Sequence, residues 1–196
     1  MTGIMVYGLG LTLLALLGVL IGRRLPVEYR TSLRPSLLMI AMVWAFLAVH
    51  FSLVVVAALE SAWRFSLPQT LALSAGLLLI AVGSTVYLSA AAAFRSLKRM
   101  NFMDATRLVT DGIYRWSRNP QAVGWMLVLL GLGLARRSGM VLVLAAVCWL
   151  SFRLSLPLEE ELLRRLYGEA YGTYERHTHR YFGAPRDLAR GKYDAA

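Results

Sequence analysis

Two polar clusters in this chain sit where polar groups are costly. The first, Thr110-Asp-Gly-Ile-Tyr-Arg-Trp-Ser-Arg-Asn-Pro-Gln-Ala-Val-Gly124, lies between two long apolar runs. The second begins at Glu159-Glu160-Glu161, after the next apolar stretch, and continues to Tyr181. Apolar surroundings penalise such groups heavily unless a partner satisfies them. Three consecutive carboxylates beside anionic lipid repel headgroups unless they meet a cation or a hydroxyl-rich ligand. The two clusters together therefore point to a binding site for a polar cofactor at a membrane surface.

Other residues invite chemistry one at a time. His50 lies inside an apolar run, where an ionisable group is either functional or a neutral, hydrogen-bonded core histidine. Arg153, near the end of another run, either snorkels to the interface or faces the pocket and holds a substrate anion. These two are the catalytic candidates. His177 and His179 are two apart, whereas helical metal ligands sit three or four apart, so no metal site is expected. Cys148 is the one cysteine; it reads as a small core hydrophobe and excludes an intrachain disulfide.

The elements that position these residues read as membrane spans. The 196 residues are 58% hydrophobic, with the apolar residues in long blocks. About 20 apolar residues cross a bilayer as helix. A first span is expected from Met5 to Ile21, ended by Gly22-Arg23-Arg24 and stopped by Pro26. Gly18 and Gly22 form a small-xxx-small pair that can admit a second helix. A second span runs from Leu37 to Leu59 and a third from Leu71 to Ala93. Residues 94–122 form a polar loop. Residues 123–156 form a helical hairpin whose first arm begins near Pro120, an early helical position that suits proline. Its turn is Arg136 to Gly139. Ser117 or Asn119 is the expected cap. Pro157 ends the last span, and residues 157–196 carry a new helix started by Glu159–Glu161 through the macrodipole. Leu158, Leu162, Leu163 and Leu166 give that helix an apolar face, and Tyr167-Gly168 interrupts it. The fold class is thus an all-α membrane protein of about five transmembrane helices, with a C-terminal amphipathic helix closing the site.

The formal net charge of +10 comes from basic residues just outside the apolar blocks. Arg23, Arg24, Arg30 and Arg34 follow the first span; Arg95, Lys98, Arg99, Arg107, Arg115 and Arg118 follow the third. This asymmetry places the N-terminus outside and the loop and tail in the cytoplasm, in an inner or plasma membrane. Arg136 and Arg137 contradict the rule. The charge is accounted for by lipid headgroups, so neither nucleic acid nor an obligate protein partner is expected.

The ordered motifs Gly112-Ile-Tyr-Arg-Trp-Ser-Arg-Asn-Pro120, Gly124, Glu159-Glu160, Leu163, Tyr167-Gly168, Tyr171 and Tyr174 resemble the isoprenylcysteine carboxyl methyltransferase and phospholipid methyltransferase superfamily. The resemblance covers roughly Leu108 to Tyr181. It implies a multi-span enzyme using S-adenosylmethionine. Tyr114, Arg118, Asn119, Pro120 and Gly124 would form one wall of the cofactor site, and Glu159, Glu160, Tyr171 and Tyr174 the other. Carboxylates suit ribose hydroxyls and an amino group; aromatic rings suit adenine and a sulfonium. Many members carry histidine at the position of Asn119 and tyrosine at that of Ala122, so the pocket here is expected to be wider. The implied acceptor is lipid-like or amphipathic, bearing a carboxylate, thiol or amine. A small thiol acceptor, or a nicotinamide-dependent sterol reductase with similar C-terminal motifs, is the alternative.

Overall fold

A computed structural model describes residues 2–32, 35–94 and 108–185. They form six α-helices: α1 Thr2–Thr31, α2 Leu37–Glu60, α3 Gln69–Phe94, α4 Pro120–Ala135, α5 Gly139–Tyr167 and α6 Glu169–His177. A 3-10 turn, Gly112–Arg115, precedes α4. Among the described residues the extended pairing is a single bridge between Arg64 and Ser138. The basic residues Arg34, Arg95, Lys98, Arg99 and Arg107 lie outside the described residues.

Helices α1, α2, α3 and α5 are long and apolar enough to cross a membrane. The hairpin arm α4 has 16 residues, about 24 Å of helix, short of a hydrocarbon core of about 30 Å.

Two expected stops do not occur. Helix α1 runs through Pro26 to Thr31. The proline forfeits one backbone bond, but Leu25 and Tyr29 on either side are buried against Met39 of α2 and Leu162 of α5. Helix α5 likewise runs through Pro157 to Tyr167, held by buried Leu156, Glu160 and Leu162. Packing against neighbours lets a membrane helix tolerate such a lesion. Glu159–Glu161 therefore lie inside a helix, and the macrodipole does not explain them. The helix break comes at Gly168, whose φ of 53° suits glycine.

Helices α1, α2 and α5 share a core of Tyr7, Leu14, Leu53, Val54, Ala57, Leu144, Ala145 and Cys148, reached by Leu129 from α4. Helices α3 and α4 pack antiparallel through paired glycines. A Cβ on Gly124 would lie 2.6 Å from the Tyr87 backbone nitrogen and 2.7 Å from the Gly83 carbonyl oxygen. One on Gly131 would lie 2.6 Å from the Gly76 oxygen. Small residues let membrane helices approach this closely. By contrast, a Cβ on Gly18 would make only ordinary contact with Phe46, and one on Gly22 would meet nothing within 4 Å, so that pair brings no helix in.

The α4–α5 turn is tied to the α2–α3 connection. Arg136 donates to the carbonyls of Ala58 (2.7 Å) and Leu59 (3.1 Å), and Arg137 to that of Leu67 (3.2 Å). Ser138 donates to Ala57 and Ala62 and caps α5 by accepting from Val141. Of the two arginines that break the charge asymmetry, Arg136 satisfies orphan carbonyls at the C-terminus of α2 and Arg137 one in the α2–α3 connection.

Candidate cofactor site

The loop before α4 is shaped by local geometry. Gly112, at φ 60°, turns the chain into the 3-10 segment, which buries Tyr114. Pro120 is the first residue of α4, as expected. The expected caps work differently. Neither side chain caps α4: Asn119 sits at the cap position without a cap bond. Its backbone N–H instead donates to Ser117 Oγ at 3.0 Å, and its side-chain amide donates to the Arg180 carbonyl at 3.0 Å.

That bond is one of several stitching the loop to the tail. The Arg118 N–H donates to the His179 carbonyl (2.9 Å) and the Gly183 N–H to that of Trp116 (3.0 Å). Tyr174 donates from its phenol to the Tyr114 carbonyl at 2.7 Å. The Trp116 and Phe182 rings stack with centroids 6.1 Å apart. The C-terminal segment thus closes over the loop.

Five charged side chains from four segments form the centre. Glu160 of α5, 2% exposed, accepts two bonds from the Arg180 guanidinium, at 3.0 and 2.7 Å. It also lies 3.5 Å from Arg118 Nη2 and 3.9 Å from Arg164 Nη2. Glu175 of α6 pairs with Arg118 at 2.7 Å and accepts from Arg164 at 2.8 and 2.7 Å. Hydrogen bonds from Arg164, then Arg118, hold the Glu175 carboxyl down at about 2. Burial pushes the Tyr171 and Tyr174 phenols well above their usual range, with neighbouring charges adding smaller effects, so both remain proton donors.

Among the described residues, the buried side-chain polar atoms lacking a hydrogen-bond partner are Arg118 Nε, Gln121 Nε2 and the Tyr171 hydroxyl. All three belong to the loop, its helix start or the tail helix. A buried polar group left unsatisfied costs about 1–3 kcal/mol, so such groups need a reason. Glu159 is half-buried and, unlike Glu160, takes no partner among the described residues.

The structure thus brings together Tyr114, Arg118, Asn119, Pro120, Glu160, Tyr171 and Tyr174, with Glu159 at the edge. It does not bring in Gly124, whose Cα face packs against Gly83 and Tyr87 of α3. His50 is also elsewhere. It is 2% exposed, and its Nε2 lies 3.0 Å from the Leu144 carbonyl, 16 residues or about 24 Å along α5 from Glu160. Its surroundings are those of a core histidine. Arg153 is exposed on the stripe of α5 that also carries Trp149, Leu156 and Glu160, seven residues or about 10 Å from Glu160. Trp149 on that stripe meets Tyr181 of the tail, ring centroids 4.8 Å apart.

Sequence reasoning missed Gln121, Arg164, Glu175 and Arg180. Glu160 and Arg164 at i,i+4 carry a readable pairing signal; the contacts of Arg180 and Glu175 depend on how the tail folds back and leave none.

The phospholipid methyltransferase family model matches residues 71–170. The chain is 27% identical over 109 residues to the probable protein-S-isoprenylcysteine O-methyltransferase of Oryza sativa subsp. japonica, covering 53% of this chain and 57% of that protein. It is 30% identical over 104 residues to protein-S-isoprenylcysteine O-methyltransferase A of Arabidopsis thaliana, covering 50% and 53%. It is 30% identical over 146 residues to protein-S-isoprenylcysteine O-methyltransferase of Rattus norvegicus, covering 67% and 51%. The chain spans little more than half the length of these relatives. No solved structure matches. The family match takes in nearly all of α3, both hairpin helices, and Arg118, Glu160 and Arg164 of the charged centre, just over half of the chain, and on that ground this chain belongs to the phospholipid methyltransferase family.

Proposed function

We propose that this protein is an integral membrane methyltransferase that uses S-adenosylmethionine to methylate a lipid-like or amphipathic acceptor, with its site on the cytoplasmic side of an inner or plasma membrane. The observation that carries the reading is the coincidence of the unsatisfied buried groups with the family motifs. Among the described residues Arg118 Nε has no acceptor and the Tyr171 hydroxyl beside Arg118 has a free O–H, both suited to a ligand carboxylate. Glu159 has no donor among the described residues and suits ribose hydroxyls or an amino group. Tyr114, Tyr171 and Tyr174 supply aromatic surface for a base and a cation. The residues present therefore fit the cofactor.

The cofactor supplies an electrophilic methyl: the acceptor's lone pair forms the new bond as the carbon–sulfur bond breaks with its electron pair left on sulfur. The protein's contribution is placement and exclusion of water. No dedicated general base stands out among the described residues, which suits an acceptor already deprotonated at neutral pH. The basic loops after α1 and α3 favour the cytoplasmic side. Arg153, exposed and on the stripe leading to Glu160, is the handle for an acceptor's anionic group.

Calorimetry on the detergent-solubilised full chain tests the reading. S-adenosylmethionine and S-adenosylhomocysteine are expected to bind, and NADPH is not. Binding of NADPH alone would instead assign a reductase.

A further inference from the structure

We propose that the groove between α1 and α5 is a binding site for one anionic phospholipid. Pro26, Tyr29 and Arg30 of α1 line it on one side, and Leu158, Glu161 and Arg165 of α5 on the other. The groove lies at the end of the bundle that carries the charged centre, on a different side of α5. Glu161 follows Glu160 by one residue, about 100° round the helix. The methyl-transfer reading makes no use of this groove, and the lipid site does not depend on it.

Charge selects the headgroup. Arg165 donates to Glu161 Oε1 at 2.7 Å, and Arg30 Nε lies 3.7 Å from the same oxygen. Glu161 therefore holds two guanidinium groups side by side, and one positive charge is left over. Both arginines are exposed. Among the described residues the Arg30 guanidinium takes no hydrogen bond, and Arg165 Nη1 reaches only the Arg30 carbonyl, at 3.4 Å. The planar fork of arginine matches phosphate oxygens, and a phosphodiester carries the single negative charge that the surplus needs. A zwitterionic headgroup brings a cation of its own, which the two arginines repel.

Below the mouth both helices present apolar surface to lipid. Gly22 and Val19 precede Pro26 by four and seven residues and share its face of α1. Leu154 and Leu150 precede Leu158 by four and eight residues and share its face of α5. Val19, Leu150 and Leu154 are exposed, and a Cβ on Gly22 would meet nothing within 4 Å. An acyl chain can lie beside Gly22 without displacing a side chain while its phosphate sits between Arg30 and Arg165. Basic pockets between membrane helices take anionic headgroups in this way. The lipid would tie α1 to the helix that carries Glu159 and Glu160.

The test titrates the full chain, purified in detergent, with phosphatidylglycerol and with phosphatidylcholine of the same acyl chains. Bound lipid is counted by native mass spectrometry. The parent is expected to keep one phosphatidylglycerol and to bind it about tenfold or more tightly than phosphatidylcholine. The double variant Arg30→Gln with Arg165→Gln is expected to lose that preference. Arg24→Gln removes a charge two residues before Pro26, on the opposite side of α1, and is expected to stay within about twofold of the parent. Gly22→Trp keeps every charge but fills the open space, and is expected to lose most of the bound lipid. It decides the matter should the double variant fail to fold. Glycerol phosphate, a headgroup without chains, is expected not to displace the lipid. Equal retention of the two lipids would overturn the proposal. So would a loss in Arg24→Gln as large as in the double variant, unchanged binding in Gly22→Trp, or displacement by glycerol phosphate.

Discussion

Arginines stand at both ends of the α4–α5 hairpin, and the two ends treat them oppositely. At the turn, Arg136 and Arg137 reach main-chain carbonyls, and Ser138, fully buried, bonds Ala57, Ala62 and Val141. At the other end, Arg118 pairs with two carboxylates yet keeps a buried Nε with no partner among the described residues. Gln121 and Tyr171 share that deficit. On the proposed function, a charge used for architecture is completed by the fold and one held for a ligand is left incomplete. Residue type alone does not tell these apart, since both ends are rich in arginine.

The contrast is sharpest in the two adjacent carboxylates. Glu160→Gln removes the partner of Arg180 and one partner of buried Arg118. Breaking one side of a buried pair costs about 3–5 kcal/mol, and the partial exposure of Arg180 puts this case near the low end. The variant is expected to lose about 3 kcal/mol in denaturant unfolding and to bind S-adenosylmethionine poorly as a result. Glu159→Gln is expected to unfold like the parent and yet lose about tenfold or more in cofactor affinity. A stable Glu160→Gln, or normal binding by Glu159→Gln, would erase the distinction between completed and incomplete charge.

The turn offers the converse experiment. Ser138→Ala removes a helix cap and two bonds to carbonyls, a loss of about 1–2 kcal/mol. Cofactor affinity should stay within about twofold, because every group disturbed there belongs to the scaffold. Weakened binding at unchanged stability would show that the two ends are coupled.

The smallest effect concerns pH. Glu175 has a carboxyl lowered from 4.5 to about 2 by Arg164 and Arg118. A depressed carboxylate contributes fully above its ordinary value and less as pH falls toward its folded value. Tail docking should therefore be constant from pH 7 down to about 4.5 and weaken below it. Hydrogen-exchange protection of α6, corrected for intrinsic rates, measures this. Loss of protection already between pH 7 and 5 would mean that Glu175 does not hold the tail.

Much of this architecture is legible in the sequence, and the failures have physical causes. Apolar blocks and the Arg136–Gly139 turn locate the helices, because length and hydropathy are local properties. Pro26 and Pro157 mislead, because whether a proline ends a helix depends on what its neighbours pack against. The motif residues Arg118, Asn119, Glu160, Tyr171 and Tyr174 converge as the resemblance implies. Gly124, carried over with them, serves helix packing instead. Its seven-residue spacing to Gly131, matched by Gly76 and Gly83, carries that signal in the sequence itself. The division of labour between Glu159 and Glu160 is invisible in the sequence: it arises from Arg180, 20 residues away, folding back onto one of them.

The glycine register between α3 and α4 has a consequence for the surface around the protein. Gly83 faces Gly124, so α3 passes the start of α4 near Tyr87 and continues to Phe94, seven residues or about 10 Å farther. The charged loop consequently hangs beside the last two turns of α3 instead of beyond them. On the proposed function, the site would then lie at the floor of a dimple in the membrane surface. Lipids bordering a helix as short as α4 must thin or tilt to match it, lowering their headgroups toward that floor. A membrane-dissolved molecule would then need only a short vertical excursion to present its polar end, and the membrane's own deformation would supply part of the approach.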